Sequence, residues 1–535
     1  MTQYPVRKGL KLFGDKGAEA VLSEMKQLHD MAVIEPRTSE SLSEEERKGA
    51  LPYLMFLKEK RCGKIKARGC TDGRRQRVYK TKEETSSPTV AVESIFLTGV
   101  IEAKEGRKVV TVDVPGALMQ AEMDDEVFMK IEGPAARLLT SVSKEYEPFL
   151  GQERGKDVIY VKLLRALYGT VQAALLFWRD LTQQLKDMGF TVNPYDECVA
   201  NQMINGSQCT VVWHVDDLKI SHVSSAVLEN VVRQLEERYG QLKSLTVTKG
   251  KVHEYLGMTL RYDEPGKMKV DMVDYMRKFL LDHPHVKGIA STPATDKLFV
   301  VREGAAWAVP EVREAFHTAV AKLLFVAKRG RPDLLTAVAY LTTRVKNPDV
   351  DDLEKLRRVI RYIRGTCDLV LTLEAGADMR PRWWIDGSYG THADLKGHSG
   401  GVLSLGKGAI CCISVKQKIN TRSSTEAELV AVHDVMPQVL WARLFLMSQG
   451  VPVSDNIIYQ DNQSAILLEK NGKRSSGKKT RHIDIRYFFV TDRAQKKEVR
   501  IEYCPTSDMT GDYFTKALQG KGFVRNRKEV MNTDH

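Results

Sequence analysis

A chain of 535 residues is too long for one ordinary core and predicts several domains. Its hydrophobic content of 42% and charged content of 28% exclude disorder as its main state. A net charge of +12, with pI about 9.1, permits a polyanionic partner without demanding one. Eight cysteines without C-x-x-C or zinc spacing read as reduced thiols of an intracellular protein. The first residues lack a signal peptide's apolar core, and no run reads as long enough to span a bilayer, so no membrane partner is expected.

In chain order, Val21, Leu22, Met25 and Leu28 predict a helix over 18–28, followed by an acidic serine-rich stretch at 39–47. Residues 1–49 read as a lead-in without chemistry of its own. Residues 58–82 hold eleven basic residues against two acids. Such a run is as often a solvated basic face, but Lys64-Ile65-Lys66-Ala67-Arg68 alternates like a strand, which would aim Lys66 and Arg68 at a phosphate track or a triphosphate. A helix over 92–101 precedes a run of β-formers that ends on Asp113, where Pro115-Gly116 break the strand. Residues 160–164 read as a strand and 173–188 as a helix ended by Gly189. Gln172 stands at the mouth of that helix, where its amide reaches a nucleotide, a template base or the backbone. Val211-Val212-Trp213-His214-Val215-Asp216-Asp217-Leu218-Lys219-Ile220 is a strand, a tight turn and a returning strand, with two carboxylates at the tip. A helix over 228–242, a strand over 255–260 and a helix over 275–281 follow. Residues 290–380 carry no acid cluster, and their helix over 353–363, ending at Gly365, reads as scaffold.

Adjacent carboxylates at the end of buried strands repel each other unless a cation lies between them, and magnesium prefers such hard oxygens. If the strand ending on Asp113 pairs with the hairpin, Asp113 and Asp216 can face one another and hold two metals roughly 4 Å apart, a clamp suited to displacement at phosphorus.

A second constellation lies further on. Trp383-Trp384-Ile385-Asp386 ends a strand on an acid, and residues 399–404 and 409–414 continue a meander. Ser423-Ser424-Thr425-Glu426-Ala427-Glu428 opens a helix with capping signals. Ile457-Ile458-Tyr459-Gln460-Asp461 repeats the strand-then-acid pattern, and Gly511-Asp512-Tyr513 is expected to start a last helix. Glu426 and Glu428 point about 200° apart on a helix, so only one can be a ligand. Residues 470–486, with seven positives against Asp484, are a candidate substrate track.

Asp113-Val114-…-Ala117, Leu163-Leu164-Arg165-Ala166-Leu167-Tyr168-Gly169-…-Gln172-Ala173, Val215-Asp216-Asp217 and Tyr255-Leu256-Gly257 resemble, in order, the reverse transcriptase of copia-type LTR retrotransposons. Ser424-Thr425-Glu426-Ala427-Glu428, Asp461-Asn462-Gln463-Ser464-Ala465 and His482-Ile483-Asp484-Ile485-Arg486-Tyr487 resemble the RNase H of the same family. The likeness runs from about residue 50 to 520. It implies an α+β and α/β multidomain chain: fingers and palm of a right-hand polymerase at 50–260, a thumb at 261–300, a connection at 301–380, an RNase H-like domain at 381–520 and a basic tail at 521–535.

The resemblance further implies RNA-directed DNA polymerase and RNase H activities, each by two-metal phosphoryl transfer. Magnesium, with manganese as a substitute, would be held by Asp113, Val114, Asp216 and Asp217 at one site, and by Asp386, Glu428, Asp461 and Asp512 at the other. Glu428 is preferred to Glu426 because related RNases H place the ligand directly before an apolar helical run, here Leu429-Val430-Ala431-Val432. Lys66, Arg68, Leu118 and Gln172 would contact the nucleotide. Implied partners are an RNA template, a DNA primer, RNA–DNA hybrid and deoxynucleoside triphosphates, in a cytoplasmic virus-like particle or the nucleus. Gag, protease and integrase segments are not seen in the sequence, so part of a polyprotein or a residual genomic copy is expected. The competing expectation is a decayed fragment that binds nucleic acid without turnover. Leu118 stands where an aromatic is usual and Ala174 where a proline is usual. His214 is a further departure, and no histidine shortly precedes Asp512.

Overall fold

The computed structural model describes residues 3–59, 63–472 and 484–534, whose strands gather into four sheets. In the first, Leu51–Glu59 pairs antiparallel with the basic strand Ile65–Thr71, which turns Lys66 and Arg68 outward and Ala67 inward. The N-terminal helix Val6–Asp30 packs on these two strands, with Val21, Met25 and Leu28 buried in one core with Leu57 and Met129. It begins twelve residues before the apolar spacing predicts, and non-helical backbone at Gly14 (φ 52°, ψ −133°) kinks it.

The second sheet is antiparallel and six-stranded, in the order Thr246–Gly250, Lys108–Asp113, Asp217–His222, Ser207–His214, Asp196–Ile204, Thr191–Asn193. Val109 to Val112 are buried, as a continuous β-branched run in a central strand requires. Helices Val92–Glu105, Ala173–Asp187 and Ser225–Tyr239 supply Phe96, Val100, Phe177, Leu181, Val231 and Leu235 to the same core. The first of these outruns its expected end at 101 until left-handed Gly106 (φ 64°) stops it, and the last stops at Tyr239, short of 242.

The third sheet joins Val252–Tyr255, Met258–Arg261 and Lys267–Asp271 to Leu371–Ala375 and Gly406–Lys407. The boundaries expected at 260 and 300 therefore cut through one hydrogen-bonded unit. Between them helices Pro310–Ala327, Leu335–Thr342 and Val350–Gly365 form the scaffold, the last opened by a capping box of Asp349 and Asp352.

The fourth sheet runs Cys411–Lys416, His398–Ser404, Arg382–Ser388, Ile457–Gln460, Arg500–Tyr503; the first three are antiparallel and the last two join in parallel. Helix Ser424–Ser448 packs on its centre. By length and mean hydropathy, 1.3 over its best window, this helix is long and apolar enough to cross a membrane, which corrects the reading that no run is. Ala427, Val432, Val435, Val439, Ala442 and Phe445 are buried inside the protein, and a helix covered on most sides is apolar on most sides.

Two further expectations change. Asp512 lies in the 3₁₀ turn Thr510–Phe514 and does not open the last helix. That helix is Gly520–Met531, in place of a tail, anchored by buried Phe523, Val530 and Met531. Most of the basic stretch 470–486, including His482, lies outside the described residues. The whole is a mixed α/β multidomain chain built on these four sheets and the helices packed against them.

Candidate active sites

The first site forms where the hairpin strand meets Lys108–Asp113. Pairing across the ladder sets Asp217 opposite Asp113, where the sequence pattern predicts Asp216. Asp216 instead occupies the two-residue turn, after Val215 in the left-handed region (φ 57°), and its carbonyl accepts from the Val114 amide at 3.2 Å. A turn residue projects past the strand ends, so Asp216 still reaches the cleft that Asp113 lines. Burial, then Asp113, raises the Asp216 pKa. Burial, then Asp216 and Asp113, pushes Asp217 up to about 6. Burial and mutual repulsion disfavour their ionised forms, as in a metal-binding set before loading. Burial lowers the pKa of the neighbouring His214 and keeps it neutral near pH 7.

The cleft has a volume of about 890 Å³ and is lined by basic residues as well as by these acids. Lys66 and Arg68 line it from the strand Ile65–Thr71, with Lys243 beside Thr246. The Arg68 guanidinium lies 4.5 Å from the centre of the Tyr168 ring, a cation–π contact that limits its swing. Behind the hairpin, Lys219 is 0% exposed and paired with Glu102, which also accepts from the Tyr262 hydroxyl at 2.6 Å.

Two residues expected to contact the nucleotide lie beneath the cleft and not in its wall. Gln172 is 1% exposed; its amide oxygen accepts from Gln76 at 3.0 Å and its amide nitrogen reaches Asp125 at 3.4 Å. Leu118 is 7% exposed and packs in the hydrophobic core beneath the second sheet, not among the residues that line the cleft. Both stand on short segments that carry the sequence into the core, where an amide needs partners and a leucine needs none.

Sequence pattern alone does not reveal the part played by the N-terminal helix. Lys16, Glu19, Glu24 and Gln27 line the same cleft, and their only signal is that they occupy the face of a helix next to its buried stripe.

In the second site, parallel pairing of Trp384 with Tyr459 brings the residues two further on, Asp386 and Asp461, to neighbouring strand ends. Glu428 enters from the second turn of helix Ser424–Ser448. One ligand oxygen from each of Asp386, Glu428 and Asp461 lies within 4.8 Å of the others, and among the described residues no other group of three potential ligands converges so closely. Gly387 makes the approach possible: a Cβ there would sit 2.4 Å from the Ala427 carbonyl oxygen. The Gly387 amide then donates to Glu428 at 2.7 Å. Glu426 instead accepts from the Arg422 amide at 2.7 Å, while its own amide donates to the Ser423 hydroxyl at 3.3 Å.

Asp512 stands at the rim, bonded to Lys516 at 2.6 Å. Burial, then Asp386, pushes its pKa up to about 7, and burial raises Glu428 well above the carboxylate range. Lys516 also lies 3.7 Å from Asp386, which takes a hydrogen bond from Thr515, and Thr506 donates to Asp461 at 2.9 Å. These three supports do not stand out in the sequence, although Lys516 sits four residues after Asp512, the spacing of a local ion pair. Clustered hard oxygens fit a divalent cation at this second site, whereas Asp113, Asp216 and Asp217 of the first do not converge as closely.

A family profile described as "Reverse transcriptase (RNA-dependent DNA polymerase)" matches residues 47–290. The retrovirus-related Pol polyprotein from transposon TNT 1-94 of Nicotiana tabacum is 24% identical over 469 residues, covering 86% of this chain and 33% of that protein. The corresponding polyprotein from transposon RE2 of Arabidopsis thaliana is 26% identical over 475 residues, covering 87% and 30%. The chain thus spans about a third of the length of these curated relatives. Among solved structures, the foamy viral protease-reverse transcriptase dRH in complex with double-stranded DNA shares the fold, with a TM-score of 0.50 at 12% identity over 92% of this chain and 70% of that one.

Proposed function

We propose that this chain is a segment of a Pol polyprotein like those of the copia-type retrotransposons it resembles, with RNA-directed DNA synthesis in the first cleft and cleavage of the RNA strand of the hybrid at the second acid cluster. The observation that carries the reading is a single cleft lined by Asp113 and Asp216 together with Lys66 and Arg68. An incoming deoxynucleoside triphosphate needs both: cations for its phosphates, and carboxylates where charge must be balanced by metal. That a reverse transcriptase of this fold holds double-stranded DNA supports a primer–template duplex as partner.

Asp113, Asp216 and Asp217, with the carbonyl of Val114 beside them, would hold magnesium in the first site. Asp386, Glu428, Asp461 and Asp512 would hold it in the second, and manganese shares the preference for hard oxygen. Bound there, such ions neutralise phosphate charge and lower the pKa of an attacking hydroxyl or water.

The chain's own groups do the rest. Arg68, steadied on Tyr168, and Lys66 bind phosphate oxygens. The Val114–Asp216 bond fixes the turn, and the ladder from Asp113 to Asp217 fixes the spacing between strands. In the second site the Gly387 amide orients Glu428, Thr515 orients Asp386, and Lys516 holds Asp512 at the rim. The hybrid is recognised by its A-form backbone and 2′-hydroxyls.

Primer extension on an RNA template by the purified chain, with labelled RNA in the hybrid, tests both halves. DNA product and shortened RNA are expected. A folded protein that binds hybrid and yields neither supports the competing reading of a decayed element.

A further inference from the structure

The N-terminal helix carries a carboxylate, Glu24, into the cleft that Lys66 and Arg68 also line. Glu24 is half-buried and lines the same cleft as Lys66, Arg68, Lys243, Asp113 and Asp216. Its Oε1 accepts from the amide of Gly69, the residue after Arg68, at 2.8 Å. That bond pins the side chain to the strand bearing the phosphate-binding cations, so the charge cannot swing away when an anion enters. Burial raises the Glu24 pKa, while the Gly69 amide, Lys66, Arg68 and Lys243 favour its ionised form.

We propose that Glu24 is a built-in counter-charge of the triphosphate site, competing with incoming phosphate for the cations of the fingers and so setting nucleotide affinity. The proposal rests on the reading of this cleft as the nucleotide site. A fixed negative charge beside Arg68 offsets part of the field that draws a polyanion in, and this loosens the empty site's grip on phosphate. It also keeps the basic strand compensated when no substrate is present, which limits capture of unrelated polyanions.

The bond to Gly69 lets charge be separated from shape. Glu24→Gln keeps an acceptor oxygen for the amide and loses only the charge, whereas Glu24→Ala loses both. Steady-state primer extension by the full chain, with magnesium and varied deoxynucleotide, is the measurement. Glu24→Gln should lower KM for the nucleotide on the order of three- to tenfold with kcat unchanged, and the gain should shrink as salt screens the field. Glu24→Ala should melt below Glu24→Gln, which isolates the contribution of the Gly69 bond.

If Glu24 only holds the strand in place, Glu24→Gln matches wild type in KM, and the proposal is overturned while the polymerase reading stands. Where the chain does not turn over, binding of a fluorescent deoxyadenosine triphosphate with magnesium decides. Tighter binding by Glu24→Gln supports the proposal, and equal or weaker binding overturns it. A wild-type chain that neither extends a primer nor binds the triphosphate overturns the reading of the cleft and the proposal together.

Discussion

The hydroxyl of Tyr255 donates to the main-chain carbonyls of Val212, at 3.2 Å, and of Asp217, at 3.4 Å. Tyr255 ends the strand Val252–Tyr255 of the third sheet, and Leu256 and Gly257 turn the chain immediately after it, both at positive φ. One buried phenol thus ties that turn to both strands of the acid hairpin, and burial raises its pKa well above the ordinary value, so it stays a donor. Tyr255→Phe should destabilise the protein by about 1 kcal/mol, the worth of a buried hydrogen bond. It should also slow primer extension several-fold, because Asp217 loses a support, while leaving hybrid cleavage unchanged. Thermal melts and the two assays check this; wild-type extension by Tyr255→Phe would reduce the hydroxyl to a packing detail.

The two acid sites stand on separate sheets and should fail separately. Asp216→Asn is expected to abolish extension and spare hybrid cleavage, and Asp461→Asn to do the reverse. Equal loss of both activities in a folded Asp216→Asn protein would reject the assignment of two sites.

Within the second site, Glu428→Gln should remove cleavage, since its carboxylate converges with Asp386 and Asp461. Glu426→Gln keeps an acceptor for the Arg422 amide and should cost far less, within about 1 kcal/mol of stability. The opposite ranking of the two variants in a cleavage assay would place the ligand on the other glutamate.

Elements with strong local signals are legible in the sequence. The acid hairpin needs only β-branched runs around a polar turn, whereas the choice of Glu428 over Glu426 rests on the resemblance to related RNases H. Arrangements set by tertiary packing are not. Whether Leu118 walls a cleft or fills a core depends on how the turn Ala117–Gln120 docks, which no residue near it encodes. Gln172 gives the signal of a helix mouth, but its partners Gln76 and Asp125 come from distant segments. Glu24 looks like an ordinary exposed helix charge, because the strand it bonds lies 45 residues away. The pairing of Asp113 with Asp217, not Asp216, turns on the register of a two-residue turn, and a shift of one residue exchanges the faces.

Both sites should couple stability to pH in the same sense. Asp217 and Asp512 titrate in the folded protein at about 6 and about 7, above the ordinary aspartate value. Folding therefore favours their protonated forms, and the native state binds more protons than the unfolded chain between about pH 4 and these values. Stability of the metal-free protein should fall as pH rises through that window. Magnesium, which takes the ionised carboxylates, should raise Tm strongly at pH 8 and little at pH 5. A magnesium shift of equal size at both would show that these acids are not its ligands.

The basic strand gives the last prediction. Lys66 and Arg68 face outward from Ile65–Thr71 and line the cleft that Asp113 and Asp216 also line, and for every phosphate no longer gripped the salt dependence of binding should fall by about one unit. Lys66→Ala with Arg68→Ala should therefore weaken binding to RNA–DNA primer–templates of any sequence alike, and lower the slope of log affinity against log salt by about two. Arg68→Lys separates charge from geometry. Lysine keeps the charge but loses the planar guanidinium that lies over Tyr168 and forks onto phosphate oxygens. The salt slope should stay at the wild-type value while affinity falls, by about 1 kcal/mol for the missing stack. Fluorescence anisotropy over a salt series on two unrelated template sequences makes the comparison. An unchanged slope in the double variant would make this strand an ordinary solvated face of the fingers. Sequence-dependent weakening would point to base recognition in place of phosphate grip.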